Sequence, residues 1–174
     1  MNPMPILKPE LAWQGMLGGL FVFHFLLEIL RSPKSRTTGG FWTLLVSLLG
    51  VLYLTCCPDQ PSEAVVHKMW IYDGVTRLGS LMIFLTLAAV TLLVPKSIEE
   101  TGHLGEYYAL LSGSALGMVL LMGSNSLLVT FLALELFSLA LYLLCILQPE
   151  KTTCQESGLK YFILSSLASA IILY

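Results

Sequence analysis

Apolar residues in this chain collect into six long stretches, which short polar or turn-forming segments separate. Each stretch approaches the ~20 residues that a helix needs to cross ~30 Å of hydrocarbon. The separating segments hold Pro, Gly, Ser and Asn, which interrupt helices. We therefore predict an all-α, polytopic transmembrane helix bundle, formed by residues 1–174 as a single membrane domain. Its six membrane-spanning helices are predicted at Leu11–Leu30, Phe41–Cys56, Gly74–Val94, Leu104–Met122, Ser126–Leu147 and Glu156–Tyr174.

Composition supports a membrane protein. Hydrophobic residues make up 56% of the 174 positions and charged residues only 11%. Soluble domains carry about 25% charged residues, so this chain lacks the polar coat that water requires. The net charge of -2 says little about partners, and the absence of a basic stripe excludes nucleic acid from the expected ones.

Loop charges predict the orientation of the chain. A cleaved signal peptide is the alternative for the first stretch, but only Lys8 precedes it and no Ala-x-Ala site follows. Cations are enriched in cytoplasmic loops, and the loops after the first, third and fifth stretches carry more of them than the opposite side does. This bias places the amino terminus on the outer side, with Arg31, Lys34, Arg36, Lys96 and Lys151 set against Lys8, Lys68 and Arg77.

Glu135 is the most informative single residue, because it lies inside the apolar fifth stretch. An ionised group at bilayer depth costs at least ~2.5 to 3.5 kcal/mol, so it is normally kept where something uses or neutralises it. Glu135 follows Ser126 by nine residues and precedes Leu147 by twelve, which places it near mid-bilayer at ~1.5 Å per residue. We expect a group that can change its protonation state. The alternative is a protonated carboxyl bonded to a neighbouring helix.

Lys160 is the nearest later cation inside a predicted membrane span, four residues into the sixth stretch. Antiparallel helices would leave ~12 Å of depth between Lys160 and Glu135, and a lysine side chain covers about half of that. Direct pairing is therefore doubtful, and water would have to bridge the two groups. The alternative is that Lys160 extends to the interface without a functional role.

We interpret the other polar, cysteine and small residues of the predicted helices as structural. His24 and Glu28 lie one helical turn apart, and we interpret them as an interfacial cluster with Arg31 in preference to the alternative, a proton-carrying pair. The membrane separates Cys56 and Cys57 from Cys145 and Cys154, so we predict no metal site and no disulfide between the pairs. Small residues four positions apart predict close helix contacts rather than chemistry, at Gly15 and Gly19, Gly113 and Gly117, and Ser165 and Ser169.

Residues 105–174 resemble a known family. The motifs are GEYY entering the fourth stretch, SNSLLVTFLALEL around Glu135 and ESGLKYFIL around Lys160, with Asp73 and Gly74 upstream. In this order and spacing they resemble the antiporter-like membrane subunit 2 of respiratory complex I, NADH:ubiquinone oxidoreductase. The resemblance covers the amino-terminal six-helix portion of that subunit.

The resemblance implies a proton-translocating role for Glu135 and for Lys160. It also implies a place in the membrane arm of the complex, with the other membrane-arm subunits and membrane lipids as partners and no cofactor bound by this chain. The subunit would then be a non-redox part of an enzyme, in the mitochondrial inner membrane or alternatively in the bacterial plasma membrane or thylakoid.

One departure from the family concerns length. The family subunit has about fourteen helices, and the lysine of its seventh helix, the expected partner of Glu135, is not among these residues. We therefore expect either a separate chain that carries the seventh helix onward or a longer parent chain. Alternatives to the complex I function are a homologous subunit of a photosynthetic complex or cation antiporter assembly, and a structural membrane scaffold without transport activity.

Overall fold

The computed structural model describes residues 19, 23, 38–56, 63–65, 69–94, 98, 103–147 and 152–174. These residues form long α-helices and a short β-hairpin, and the order of the elements follows the chain. They are α1 (Thr38–Cys56), β1 (Glu63–Val65), β2 (Trp70–Tyr72), α2 (Gly74–Leu92), α3 (Leu104–Met122), α4 (Leu127–Cys145) and α5 (Thr152–Leu173).

The five helices of the described residues are each long and apolar enough to cross a membrane. They coincide with the second to sixth predicted stretches, and α3 begins and ends at the predicted residues. The start of α5 at Thr152 is one turn earlier than the predicted Glu156. Hydropathy marks the apolar core of a helix, so it misses a polar turn that extends beyond it. The first predicted stretch, Leu11–Leu30, lies outside the described residues except for Gly19 and Phe23.

The β-hairpin occupies a segment for which we predicted only a loop. Strands β1 and β2 are antiparallel, with Glu63 opposite Tyr72 and Val65 opposite Trp70. The backbone of β2 and of the residue before it also bonds to the turn between α3 and α4. The Ile71 N–H donates to the Gly123 carbonyl at 2.8 Å, and the Asn125 N–H donates to the Met69 carbonyl at 2.9 Å. Three-residue strands are too short to show an alternating sequence pattern.

The main hydrophobic core lies where α1, α2 and α3 meet the hairpin. Its most deeply buried members are Val119, Leu54 and Phe84. The indole of Trp70 packs against Gly123, where a side chain would collide with the ring. The hairpin is thereby held against the same end of the bundle as the turn between α3 and α4. The full set of buried apolar residues in this core is Leu54, Trp70, Ile83, Phe84, Leu87, Ala115 and Val119.

Helix contacts follow chain order: α1 packs on α2, α2 on α3, α3 on α4 and α4 on α5. Gly117 of α3 allows the backbones of α3 and α4 to approach closely, because a Cβ placed on it would lie 2.8 Å from the backbone nitrogen of Phe137 in α4. The predicted contact face at Gly113 and Gly117 is confirmed for Gly117. The carboxyl-terminal helix α5 is covered far less, and Gly158 is its one buried residue.

The Asp73 carboxylate caps the start of α2. Its Oδ1 accepts hydrogen bonds from the backbone N–H and from the hydroxyl of Thr76, each at 2.8 Å. These two bonds, the backbone bond first, hold the pKa of the Asp73 carboxyl below its usual range. The Asp-Gly pair that was singled out in the sequence is thus a helix start that follows directly on the hairpin.

The substitution Asp73→Ala should lower the free energy of unfolding by about 0.5 to 2 kcal/mol, because the first turn of α2 loses its acceptor. The lowered pKa means that the ionised carboxylate stabilises the fold fully above its unfolded pKa of about 3.9 and loses that contribution as the pH falls further. Thermal unfolding of the detergent-solubilised protein at pH 7 and pH 3 measures both effects. Asp73→Asn should weaken the pH dependence; equal pH dependence in Asp73→Asn and the parent would contradict this assignment.

The substitution Gly117→Ala should destabilise the protein by about 1 to 3 kcal/mol, because the added methyl group meets backbone that has little room to move. Gly74→Ala is the matched control, since no atom lies within 4 Å of a Cβ at Gly74. Comparing the thermal midpoints of the two variants checks the prediction. Equal midpoints would show that α3 and α4 do not depend on this close approach.

Candidate functional site

Glu135 lies near the middle of α4, which runs from Leu127 to Cys145. At ~1.5 Å per residue it is ~12 Å from the start of the helix and ~15 Å from its end. The side chain is half-buried and faces α5, where the Ser169 hydroxyl donates a hydrogen bond to Glu135 Oε2 at 2.9 Å. The carboxyl group is therefore attached to the neighbouring helix at mid-membrane depth.

The register between α4 and α5 brings these two side chains together. Near the end of α4, Gly158 of α5 contacts the side chain of Ile146. One turn farther along α5, the rings of Phe162 and Tyr142 meet edge to face with centroids 5.1 Å apart. Because the helices are antiparallel, the same register places Ser169 opposite Glu135. We call this line of contacts the α4–α5 seam.

The hydrogen bond leaves the carboxyl group half satisfied. Oε2 accepts from Ser169, whereas Oε1 has no hydrogen-bond partner among the described residues. An unsatisfied polar atom in hydrocarbon costs several kcal/mol by order of magnitude, so a further donor or cation would be stabilising there. Oε2 can accept whether or not Oε1 carries a proton. The arrangement is therefore compatible with both protonation states of Glu135.

The structure does not bring Lys160 to Glu135. The Lys160 ammonium pairs with Glu156 Oε1 at 2.6 Å, one turn earlier on α5, and both side chains are largely exposed. Lys160 precedes Ser169 by nine residues, which corresponds to ~13 Å along the helix axis. The four-residue spacing of Glu156 and Lys160 is a signal from which this pair could have been predicted.

Ser169 belongs to the candidate site, although its spacing from Ser165 predicted only a helix contact. It does lie on the α4–α5 seam, in agreement with the predicted contact face, but its hydroxyl also binds the candidate carboxyl. The four-residue spacing of Ser165 and Ser169 could not distinguish these roles. Such a distinction requires the register between the two helices.

The other candidate residues either lie outside the described residues or have no recorded contact with Glu135. His24, Glu28 and Cys57 lie outside the described residues. Cys56, Cys145 and Cys154 are free thiols. His103 contacts Glu106 at 3.2 Å at the start of α3. Within the described ranges, no group of three or more His, Cys, Asp or Glu side chains is placed to hold a metal ion.

Residues 124–174 match a protein family described as NADH:quinone oxidoreductase/Mrp antiporter, transmembrane. The matched segment contains α4, α5 and the whole α4–α5 seam. Among solved structures, a chain of respiratory complex I from Thermus thermophilus with bound aureothin resembles this fold with a TM-score of 0.77 and 30% sequence identity. That similarity covers 93% of this chain and 35% of the Thermus chain.

The curated relatives that resemble this chain are subunits of NADH-quinone oxidoreductase. The NADH-quinone oxidoreductase subunit N of Neisseria gonorrhoeae is 34% identical, covering 100% of this chain and 35% of its own length. Subunit N of Bdellovibrio bacteriovorus is 39% identical over 85% of this chain and 31% of its own length. Subunit N of Nitrosomonas europaea is 33% identical over 86% of this chain and 31% of its own length. This chain is thus similar in sequence to subunit N of NADH-quinone oxidoreductase, and it spans about a third of the length of these relatives.

Proposed function

We propose that this chain forms part of a proton-translocating membrane-arm subunit of NADH:ubiquinone oxidoreductase, of the subunit 2 type. Quinone reduction elsewhere in the complex would drive proton movement, and this subunit would contribute no redox group and bind no cofactor. Support comes from the subunit N relatives and from the similarity to a chain of a solved complex I.

The observation that carries the proposal is the half-satisfied carboxyl of Glu135 at mid-membrane depth. A group that is held in place but not fully paired can bind and release a proton with little rearrangement. A cation near Oε1 would favour its ionised form, and withdrawal of that cation would favour protonation. Glu135 is the proposed proton-binding group, and Lys160 is proposed to take part in proton movement farther along α5.

We propose that the cation near Oε1 is a lysine from a seventh helix, on a separate chain or a further part of the same subunit. The apolar surface of α5 supports a protein neighbour there, since nearly all of this helix is exposed in the described structure. The remaining partners would be other membrane-arm subunits and membrane lipids.

The proposed topology has six membrane-spanning helices and an outer amino terminus. The proposed location is the membrane that houses the complex, the mitochondrial inner membrane or the bacterial plasma membrane. The relatives described above are bacterial, which supports the second location.

A cation antiporter assembly is the second candidate, because the matching family includes Mrp antiporter subunits. The subunit N relatives favour the oxidoreductase. If Glu135→Gln abolishes NADH-driven proton transport and leaves sodium/proton exchange unaffected, the result would support complex I. The opposite pattern would support the antiporter.

In the assembled complex, Glu135→Gln should abolish or strongly reduce proton translocation, because the amide cannot bind and release the proton while its size is preserved. NADH-driven acidification of sealed vesicles, measured with quinone reduction, gives protons moved per electron. Glu106→Gln is the matched control, since Glu106 is exposed at the start of α3. Normal pumping and turnover in Glu135→Gln would support a structural scaffold instead.

Lys160→Met should also reduce proton translocation while the complex still assembles, because the exposed Lys160 side chain is not part of the helix packing. Lys160→Arg retains the charge and tests whether proton release is needed, since arginine is not deprotonated in proteins. We expect both variants to be impaired in vesicle acidification. Normal acidification in both would show that Lys160 only extends to the interface.

A further inference from the structure

We propose that Ser169 is a positioning residue for Glu135, and this inference rests on the proposed proton-binding role of that carboxyl. The Ser169 hydroxyl donates to Glu135 Oε2 at 2.9 Å across the α4–α5 seam. Both side chains are half-buried. A hydroxyl donates one hydrogen, so this bond commits the donor of Ser169 to the carboxyl group.

Ser169 differs from most helical hydroxyls of the described residues in the direction of its bond. A serine or threonine inside a helix usually donates to the carbonyl three or four residues earlier on the same helix. Ser166, on the same turn of α5, does so with the Phe162 carbonyl at 2.8 Å. Ser138 of α4 does so with the Leu134 carbonyl at 2.7 Å. The Ser169 hydroxyl does not donate to a carbonyl of its own helix. It donates to the Glu135 carboxyl on α4.

The seam sets the distance across which this bond forms. Gly158 removes the side chain that would separate the helices, and Tyr142 with Phe162 adds an apolar contact between that point and Glu135. Both contacts lie on the same side of Glu135 along α4. The register that they set places Ser169 opposite Glu135.

Among the described residues, Ser169 is the one group that hydrogen-bonds to the Glu135 carboxyl. On α4, Tyr142 and Cys145 are seven and ten residues away, about 10 and 15 Å along the axis. On α5, Lys160 is paired with Glu156 near the other end of the helix. On α3, Glu106 and Tyr107 lie in the first turn, and Gly117 is the residue that packs near Phe137.

The bond selects one orientation of the carboxyl group. Glu135 Oε2 is hydrogen-bonded to Ser169 of α5, and Glu135 Oε1 is left for a second partner. Without the hydroxyl, the side chain gains other rotamers and Oε1 loses its defined position. A proton-binding group that must meet a donor at a fixed point depends on that orientation.

The test compares Ser169→Ala with Ser166→Ala in the assembled complex. Infrared difference spectroscopy reports the carboxyl C=O stretch of protonated Glu135, which the loss of the band in Glu135→Gln identifies. Removing a donor from the C=O oxygen strengthens that bond, so Ser169→Ala should move the band to higher frequency. Ser169→Thr should restore the parent position, and Ser166→Ala should leave it unchanged.

Proton transport is measured on the same variants. Ser169→Ala should lower it by up to about tenfold, the ratio that corresponds to ~1.4 kcal/mol and to the order of a hydrogen bond to a charged group. Ser169→Thr should recover most of the loss. If Ser169→Ala prevents assembly, Ser169→Cys has nearly the same volume and a much weaker donor, and it should shift the band in the same direction.

The two proposals fail in different ways. An unshifted Glu135 band in Ser169→Ala or Ser169→Cys would overturn the positioning role, whatever the transport rate. Normal pumping in Glu135→Gln would overturn the proposed function while leaving the infrared result intact. A band shift of equal size in Ser166→Ala would also overturn the inference, because it would trace the shift to general repacking of α5.

Discussion

A carboxyl group inside a membrane needs hydrogen-bond donors or a cation, and the contact between α4 and α5 meets this need for one oxygen of Glu135. Glu135 receives one donor, the hydroxyl of Ser169, from the neighbouring helix. That donor is available only because the antiparallel register of the α4–α5 seam places it there. The second oxygen has no hydrogen-bond partner within the described residues, so the structure holds a group that is oriented but still able to accept a partner.

The scaffold behind Glu135 is more extensively packed than the helix in front of it. Helices α1, α2 and α3 share a core with the hairpin, and α3 holds α4 through the close approach at Gly117. By contrast, α5 meets α4 and leaves most of its apolar surface uncovered. Glu135 thus lies on a helix that α3 holds at Gly117, and it faces a helix whose other sides are open to lipid or to further protein.

This asymmetry suits the proton-translocating role that we propose. A carboxyl that binds and releases protons requires a fixed position on one side and a changeable environment on the other. The chain is similar to NADH-quinone oxidoreductase subunit N and spans about a third of the length of those relatives. The description of the matching family also includes Mrp antiporters, and an antiporter would need the same fixed position and changeable environment for Glu135.

The sequence by itself determined the candidate membrane-spanning helices of the described residues and marked Glu135 as a candidate proton-binding residue. Hydropathy predicted α3 to the residue, and the cost of a buried carboxylate singled out Glu135, because both depend on local composition. Only the tertiary structure decided the hairpin and the hydrogen bond from Ser169 to Glu135, and it also showed that Lys160 pairs with Glu156. The hairpin depends on pairing between distant backbone segments and the Ser169 bond on interhelical register, neither of which a pattern along one chain specifies. The Lys160 pair is local, and its spacing could have predicted it.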